Sequence, residues 1–142
     1  MIIRECQMTD IEDIYLLNKK DLGYDYTQEK MKKQLKRILE KDTDKIYVAL
    51  IDQQVVGYIH AHDYDLIYQD RFKNILGIAV DQKYRHQGIG KALLHKVEQW
   101  AKETNALGIR LVSGKKRKGA HEFYQACGYQ FHKEQYNFTK LF

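Results

Sequence analysis

The sequence of 142 residues contains no proline, only two cysteines and a single tryptophan. Without proline, every turn must rely on glycine, asparagine, aspartate or the local sequence. Cys6 and Cys127 are too few for a disulfide framework and lack the spacing of metal ligands, which favours a reduced, cytoplasmic setting. No apolar run approaches the roughly 18 residues of a membrane-spanning helix. The opening residues lack the basic-then-apolar order of a signal peptide, so we expect neither a signal peptide nor a membrane partner.

The remaining composition is typical of one globular domain. Hydrophobic residues make up 44% of the sequence and charged residues 30%. The length is close to that of an average domain, so we expect a single domain over residues 1–142. The net charge of +5 is mildly basic. That charge suits a phosphate-bearing ligand but is not by itself a signature of nucleic-acid binding.

Hydrophobic periodicity predicts alternating strands and helices. Thr9 and Glu12 form a capping-box pattern at the start of the first helix. The strand–helix–strand order between residues 72 and 113 implies a crossover, and hence neighbouring parallel strands. We therefore predict an α/β (α+β) fold with a mixed, twisted sheet of about six to seven strands and about four helices. The strands are expected over 1–5, 46–51, 55–62, 72–80, 109–113, 129–131 and 136–141, and the later helices over 28–39, 89–103 and 120–126.

The sharpest motif is RHQGIGKA at residues 85–92, between a predicted strand and a predicted helix. Gly88 and Gly90 have no Cβ, so a ligand can approach the backbone there. The free N–H groups at a helix start bind anions, and the helix dipole adds favourable potential. The Rossmann and P-loop fingerprints do not fit, because Leu93 and Arg85 stand where those motifs need glycine. The segment predicts a pyrophosphate site, and an ordinary glycine-containing loop is the alternative.

A second motif is AHEFYQACGY at residues 120–129. Ala120, Phe123, Tyr124 and Cys127 share one face of the predicted helix. By residue type alone, that face is typical of a core, with Tyr124 as a structural phenol.

Together these segments resemble the GNAT superfamily of acetyl-CoA-dependent N-acetyltransferases. Residues 75–90, ILGIAVDQKYRHQGIG, look like the strand and pyrophosphate loop of that family. Residues 123–129, FYQACGY, look like its later helix, of the form F-Y-x-x-x-G-[FY]. The resemblance implies a GNAT fold over nearly the whole chain. It also implies direct transfer of an acetyl group from acetyl-CoA to a primary amine. The sequence does not identify the acceptor, but a small-molecule amine would fit the compact chain, and no metal is expected.

The resemblance implies roles for single residues as well. The backbone of Ile78 and Val80 would pair with the pantetheine arm, and the Val80 amide would polarise the thioester carbonyl. Tyr124 would protonate the departing thiolate. Neither cysteine has the setting of a nucleophile. The cofactor's pyrophosphate would be bound along Arg85, His86, Gln87, Gly88, Ile89, Gly90, Lys91 and Ala92.

Two positions depart from the family's pattern. Arg117 stands where many relatives have asparagine, and it could contact a phosphate instead. Asn74 stands where some relatives have a glutamate base, and an amide cannot usefully accept a proton. A base must therefore come from elsewhere, act through water, or be unnecessary for an amine that is already neutral.

Candidates for that base lie on one predicted strand and its exit. His60 and His62 point to the same face of the strand, and an imidazole titrates near neutral pH. Asp63 and Asp65 follow closely. The two histidines could also bind a metal, but the sequence shows no third ligand.

The predicted interhelical loop contains Tyr24, Asp25 and Tyr26. In relatives this loop borders the acceptor pocket, and aromatic walls with an aspartate would suit a cationic amine. An ordinary polar loop is the alternative. The expected substrate-binding residues are Tyr24, Tyr26, His60, His62 and Asn74.

Other functions remain open from the sequence. The acceptor could be a protein N-terminus or lysine, and the chain could be a non-catalytic sensor of acyl-CoA. The basic run Lys115–Lys118 could bind nucleic acid, but it lacks the interleaved aromatic residues of a single-strand platform. The predicted edge strand at 136–141 could pair with a second chain, which makes a homodimer a further hypothesis.

Overall fold

A computed structural model describes all 142 residues. The chain divides into two compact units, residues 1–111 and residues 112–142, which are described separately. None of the helices combines the length and the apolar character needed to cross a membrane.

The first unit alternates strands and helices much as the sequence predicts. Its helix over 89–103 has the predicted bounds, because apolar residues recur there at helical spacing. Its elements in chain order are β1 (Ile2–Glu5), a 3-10 turn (Met8–Asp10), α1 (Ile11–Asp21), α2 (Gln28–Leu39), β2 (Asp44–Ile51), β3 (Gln54–Leu66), β4 (Gln69–Val80), a second 3-10 turn (Gln82–Tyr84), α3 (Ile89–Glu103) and β5 (Ile109–Leu111).

The five strands form one sheet in the order β1-β2-β3-β4-β5. Neighbouring strands are antiparallel except β4 and β5, which are parallel. The parallel pair confirms the predicted crossover through α3. The β2–β3 hairpin turns through Asp52 and Gln53, which both have positive φ. Two consecutive residues of this kind form the turn whose twist matches that of the two strands.

The helices cover opposite faces of the sheet. Tyr58 of β3 donates a hydrogen bond to the side chain of Asn18 in α1, so its side chain is on the face that α1 covers. The next residue, Gly57, faces α3, and a Cβ added there would lie 3.4 Å from the side chains of Ile89 and Leu93. Adjacent residues of a strand point to opposite faces, so α1 and α3 lie on opposite sides. The core on the α1 side includes Ile14, Leu17, Leu35, Ile46 and Val48.

The start of the first helix differs from the prediction. Asp10 and Gln7 cap the first 3-10 turn reciprocally, and Asp10 Oδ2 accepts a hydrogen bond from the Gln7 N–H at 2.8 Å. Asp10 also pairs with Arg4 through two bonds of 2.8 and 2.9 Å. The predicted capping box of Thr9 and Glu12 is therefore wrong. A charged carboxylate with two charge-assisted bonds is a stronger anchor than a neutral hydroxyl.

The second unit contains one helix, α4 (Lys118–Ala126). Gly128, with φ at +91°, follows its last turn. No strand forms over residues 129–142, so the two final strands predicted from sequence are wrong, and the sheet has five strands rather than six or seven. Phe131, Tyr136 and Phe138 are exposed. Aromatic residues favour strands only where a pleated, half-buried surface receives them, and no strand pairs with this segment.

Candidate active site

One edge of β4 is open over its last residues. β5 pairs only with Lys73, Asn74 and Ile75 of β4 and then ends. On the other side, β3 stays paired with β4 up to Val80. From Leu76 to Val80, therefore, one side of β4 has no neighbouring strand.

The hydrogen bonds of β4 show which residues face the open edge. The Asp81 N–H donates to Val56 O at 2.7 Å, so residue 81 faces β3. Because the direction of backbone groups alternates in an antiparallel pair, Ala79 also faces β3, whereas Ile78 and Val80 face the open edge. Arg85 Nε donates to Val80 O at 3.2 Å, so at the open edge the N–H of Val80 is the backbone group that remains available to a ligand. Ile78 and Val80 are the two residues that the resemblance implied for the pantetheine arm.

The start of α3 presents free amide groups. Gly88 caps the helix with φ at +82°, and no heavy atom lies within 4 Å of the position that a Cβ would occupy. The Ala92 N–H donates to Gly88 O at 3.0 Å, so the Ala92 amide is already engaged. The N–H groups from Gln87 to Lys91 have no acceptor in the chain. They form a run of donors at the positive end of a helix.

Arg85 connects this loop to the end of α1. Its Nη2 lies 3.7 Å from Oδ1 of Asp21, a side chain that is only 3% exposed. Burial raises the pKa of Asp21, and the nearby Asp81 carboxylate acts in the same direction. Arg85 and Lys20 oppose that shift. His86 is exposed and has a positive φ. Asp21 was not identified from the sequence.

A hydrogen-bonded pair, His60 and Asp44, lies on the α1 side of the sheet. His60 Nε2 is 2.8 Å from Asp44 Oδ2, and the Thr43 hydroxyl donates to Asp44 Oδ1 at 2.8 Å. Burial lowers the pKa of His60, although Asp44 opposes this. Burial alone would raise the pKa of Asp44, but hydrogen bonds from His60 and Thr43 bring it below its usual value. At neutral pH the pair is therefore a neutral imidazole and a charged carboxylate.

His62 and Asn74 belong to a second polar group on the same face. Arg110 Nη1 donates to Asn74 Oδ1 at 2.6 Å, so the Asn74 Nδ2 group faces His62 Nε2 at 3.0 Å. The guanidinium of Arg110 also lies 4.4 Å from the centre of the Tyr64 ring. Because Nδ2 can only donate, Nε2 of His62 acts as the acceptor.

The two aspartates proposed as alternative bases are held in ion pairs. Asp63 pairs with Lys73 and with Arg71, whose Nη1 is 3.3 Å away. Asp65 pairs with the Nε of Arg71 at 2.7 Å. Asp63 points to the α3 face, away from the two histidines, because strand residues alternate. No group of three or more histidine, cysteine, aspartate or glutamate side chains is arranged to hold a metal ion.

The α1–α2 loop exposes Tyr24 and Tyr26. The Tyr24 N–H donates to Asn18 O at 3.1 Å, which holds the start of the loop against the end of α1. The Tyr58 hydroxyl, which bonds the side chain of the same Asn18, has its pKa raised to about 12, chiefly by burial. Asp25 is exposed in the same loop.

In the second unit, Tyr124 is buried on α4. Its ring centre lies 5.4 Å from that of Phe123 and 6.2 Å from that of Tyr129. Burial raises the pKa of Tyr124, while the charge of Arg117 opposes the shift. The phenol is therefore protonated at neutral pH and can donate a proton. Arg117 is exposed and stands immediately before the helix.

Comparison with known proteins identifies the family. Residues 11–129 match the model of the Acetyltransferase (GNAT) family. The chain belongs to that family. An uncharacterised N-acetyltransferase of Methanocaldococcus jannaschii is 30% identical over 135 residues, which cover 90% of this chain. The chain spans 60% of the length of that relative.

Solved structures support the GNAT fold. The apo aminoglycoside antibiotic 6'-N-acetyltransferase of Acinetobacter haemolyticus superposes with a TM-score of 0.87, at 17% identity, over 100% of this chain and 99% of the other. The enzyme AAC(6')-Iy, in complex with the bisubstrate analogue CoA-S-monomethyl-acetylneamine, gives a TM-score of 0.88 at 19% identity, over 99% and 97% of the two chains. The predicted fold and family are thus confirmed.

The sequence of this GNAT chain did not reveal Asp44 or Arg110, the partners of His60 and Asn74. The turn through residues 52 and 53 would by itself place position 44 opposite position 61. A register shift between Ala49 and Leu50 moves it opposite position 62, beside His60, and the sequence does not reveal that shift. Arg110 had no signal either, because its contact depends on the register of a parallel pair that is distant in sequence.

Proposed function

We propose that this GNAT chain transfers an acetyl group from acetyl-CoA to a primary amine of a small molecule, with both substrates bound together. The observation that carries the proposal is the run of unpaired N–H groups at the start of α3, which follows directly on the open edge of β4.

The two features suit different parts of the co-substrate. The N–H groups from Gln87 to Lys91 and the helix dipole suit a pyrophosphate. The exposed Gly88 leaves the backbone accessible, because no side chain projects from it. The backbone groups of Ile78 and Val80 suit the amides of a pantetheine arm, which can pair with an open strand edge as an additional strand does.

Two groups of the protein would serve the chemistry. The neutral amine nitrogen attacks the thioester carbonyl carbon and the C–S bond breaks. The nitrogen loses a proton to become the amide, and the sulfur leaves as a thiolate that takes up a proton. The Val80 N–H is a donor for the carbonyl oxygen as it gains negative charge. Tyr124 is the proposed donor of the proton to sulfur, supported by its protonated phenol and by the motif that contains it.

The acceptor proposal is supported by the α1–α2 loop and by the structural neighbours. Exposed Tyr24 and Tyr26 flank Asp25, a combination that suits a cationic amine. Two of the neighbouring structures support a small-molecule amine. One is an aminoglycoside antibiotic 6'-N-acetyltransferase, and the other contains the bisubstrate analogue CoA-S-monomethyl-acetylneamine.

Calorimetric titration with acetyl-CoA, followed by thiol release in the presence of a panel of small primary amines, tests the proposal. We expect saturable binding and amine-dependent release. Gly88→Trp should abolish binding, because the indole would fill the space above the free amides. Gly88→Ala is the matched control for the unfavourable φ, and it should retain most of the affinity.

Tyr124→Phe separates binding from chemistry. We expect unchanged affinity for acetyl-CoA and slower thiol release. Equal turnover in wild type and Tyr124→Phe would remove Tyr124 from the acid role. Failure of the wild-type protein to bind acetyl-CoA would overturn the proposed function.

A further inference from the structure

We propose that His60, oriented by Asp44, is the general base that removes the proton from the acceptor amine. This inference rests on the proposed acetyl transfer. An alkyl amine with a pKa near that of lysine, about 10.4, is protonated at neutral pH. Its nitrogen has no lone pair for attack until a base has taken the proton.

The hydrogen bond to Asp44 fixes which nitrogen of His60 can act. Asp44 is charged, so it accepts, and Nε2 of His60 donates over 2.8 Å. In a neutral imidazole the other nitrogen, Nδ1, then carries the lone pair. Nδ1 has no hydrogen-bond partner in the chain. The arrangement matches that of a base held in one tautomer by a carboxylate.

The neighbouring His62 lacks this arrangement. Its Nε2 already accepts from Asn74, whose orientation is fixed by Arg110. His62 has no carboxylate partner to stabilise the imidazolium that a base becomes. Of the two histidines on this face, only His60 combines an unoccupied lone pair with a charged partner.

The sheet leaves room beside His60. Its partner on β4 is Gly77, which has no side chain to cover the ring. A Cβ added at Gly77 would have only the Tyr58 hydroxyl within 4 Å, at 3.9 Å. Gly77 precedes Ile78, whose backbone faces the open edge. The pairing of β3 and β4 also shifts register between His60 and Ala61. Such bulges redirect side chains and occur next to active sites.

The charges around His60 favour a base that is neutral before the reaction. Asp44 of β2 favours the imidazolium, while burial, His62 and Lys41 disfavour it. Nδ1 of His60 therefore accepts a proton from the ammonium, and the Asp44 carboxylate at Nε2 stabilises the resulting imidazolium while the amine attacks the carbonyl carbon. As the C–S bond breaks, the nitrogen loses a second proton to become the amide, which balances the proton that Tyr124 gives to sulfur, and the imidazolium returns its proton to solvent.

The test compares two amines at pH 7.5. Neamine presents protonated alkyl amines, whereas 2,2,2-trifluoroethylamine is largely neutral at that pH because fluorine withdraws electrons. His60→Gln should lower kcat/KM for neamine by about 10²–10⁴-fold, the usual contribution of a general base. The same variant should change the rate with the neutral amine by less than about tenfold. His95→Gln, on the exposed side of α3, is the matched control and should leave both rates unchanged.

A pH profile distinguishes a base from a structural residue. For the wild type we expect kcat/KM for neamine to rise with pH on a limb set by His60. Asp44→Asn removes the charge that favours the imidazolium, so the limb should move to lower pH. A profile that stays unchanged in Asp44→Asn contradicts the proposed pair.

A measurement without turnover completes the test. Long-range proton–nitrogen NMR correlations report the tautomer of each imidazole, and the His60→Gln spectrum assigns the signal of His60. We expect a neutral His60 protonated at Nε2 at pH 7.5. A doubly protonated ring, an Nδ1-protonated ring, or equal losses with both amines would overturn the proposal. Absence of thiol release by the wild type with both amines would instead contradict the proposed function on which it rests.

Discussion

The buried ion pair of Lys73 and Asp63 should respond very differently to removal of either partner. Lys73 is only 1% exposed, and its ammonium lies 3.7 Å from the centre of the Trp100 ring. Asp63 is its only carboxylate partner. Asp63, however, has a second cation, since Arg71 Nη1 lies 3.3 Å from its Oδ2. Loss of Asp63 leaves a buried charge without a carboxylate, whereas loss of Lys73 leaves the carboxylate paired.

The expected magnitudes follow from that asymmetry. Asp63→Asn should lower the free energy of unfolding by about 3–5 kcal/mol, the usual effect of leaving one charge of a buried pair alone. The Trp100 ring offsets about 2 kcal/mol at most. Lys73→Met keeps a flexible side chain of similar length over Trp100 and removes the buried charge, so its cost should be about 0–2 kcal/mol. The double variant should be more stable than Asp63→Asn alone.

Urea unfolding at pH 7, followed by circular dichroism, measures these differences for the wild type and the three variants. Lys73→Met is the matched control for Asp63→Asn, because each variant removes one partner of the same ion pair. If Asp63→Asn proved no more destabilising than Lys73→Met, the asymmetry argued from Arg71 would be refuted. A double variant less stable than Asp63→Asn would refute it too, because the coupling would then have the opposite sign.

Three further predictions concern the fold. Gly57→Ala should destabilise the protein by about 1–3 kcal/mol in urea unfolding, because the new Cβ would lie 2.9 Å from Ala79 O, and an unchanged midpoint would contradict this. Hydrogen bonds from Arg4 and Gln7 outweigh burial and lower the pKa of Asp10, so the stability that its carboxylate adds is present above about pH 4 and lost as the pH falls through the lower native value. Asp10→Asn should therefore be less stable than wild type by about 2–3 kcal/mol at pH 7, with a difference that shrinks in acid and not in base. Burial raises the pKa of Cys6 to about 12, so its thiol should resist iodoacetamide at pH 8 in the native protein and react after unfolding, as read by mass spectrometry of the peptides.

Local patterns in the sequence predicted the order and type of the regular elements in the first unit, although β3 and β4 extend into residues 63–71, beyond the expected strand ends. The helix from Ile89 to Glu103 was predicted with its observed bounds because its apolar positions repeat at helical spacing. The final segment was mispredicted because aromatic residues such as Tyr136 and Phe138 favour a strand only when a neighbouring strand accepts them. The pattern of residues indicates whether a segment favours a strand, but it does not show whether a neighbouring strand is available to pair with it.

In the candidate site, too, local sequence motifs could be predicted, whereas contacts that depend on strand register could not. Residues 85–92 were identified from their glycines and their place before a helix, and the structure adds which amides are free. The pairing of His60 with Asp44 depends on a register that shifts between Ala49 and Leu50, which no local pattern reveals. The burial of Lys73 could not be predicted either, because lysine is almost never fully buried unless it is paired, and its partner Asp63 lies on another strand.

Because one edge of β4 is open, the exchange of its backbone amide hydrogens with solvent should show whether a molecule is bound along that edge. The amides of Ala79 and Asp81 face β3 and should exchange their hydrogens with solvent slowly. The amides of Ile78 and Val80 face the unpaired side and should exchange quickly, although they belong to the same strand. A molecule that pairs with this edge would slow the second set and leave the first unchanged. The alternation along four consecutive residues would therefore locate a bound chain on the strand, whether or not any reaction takes place.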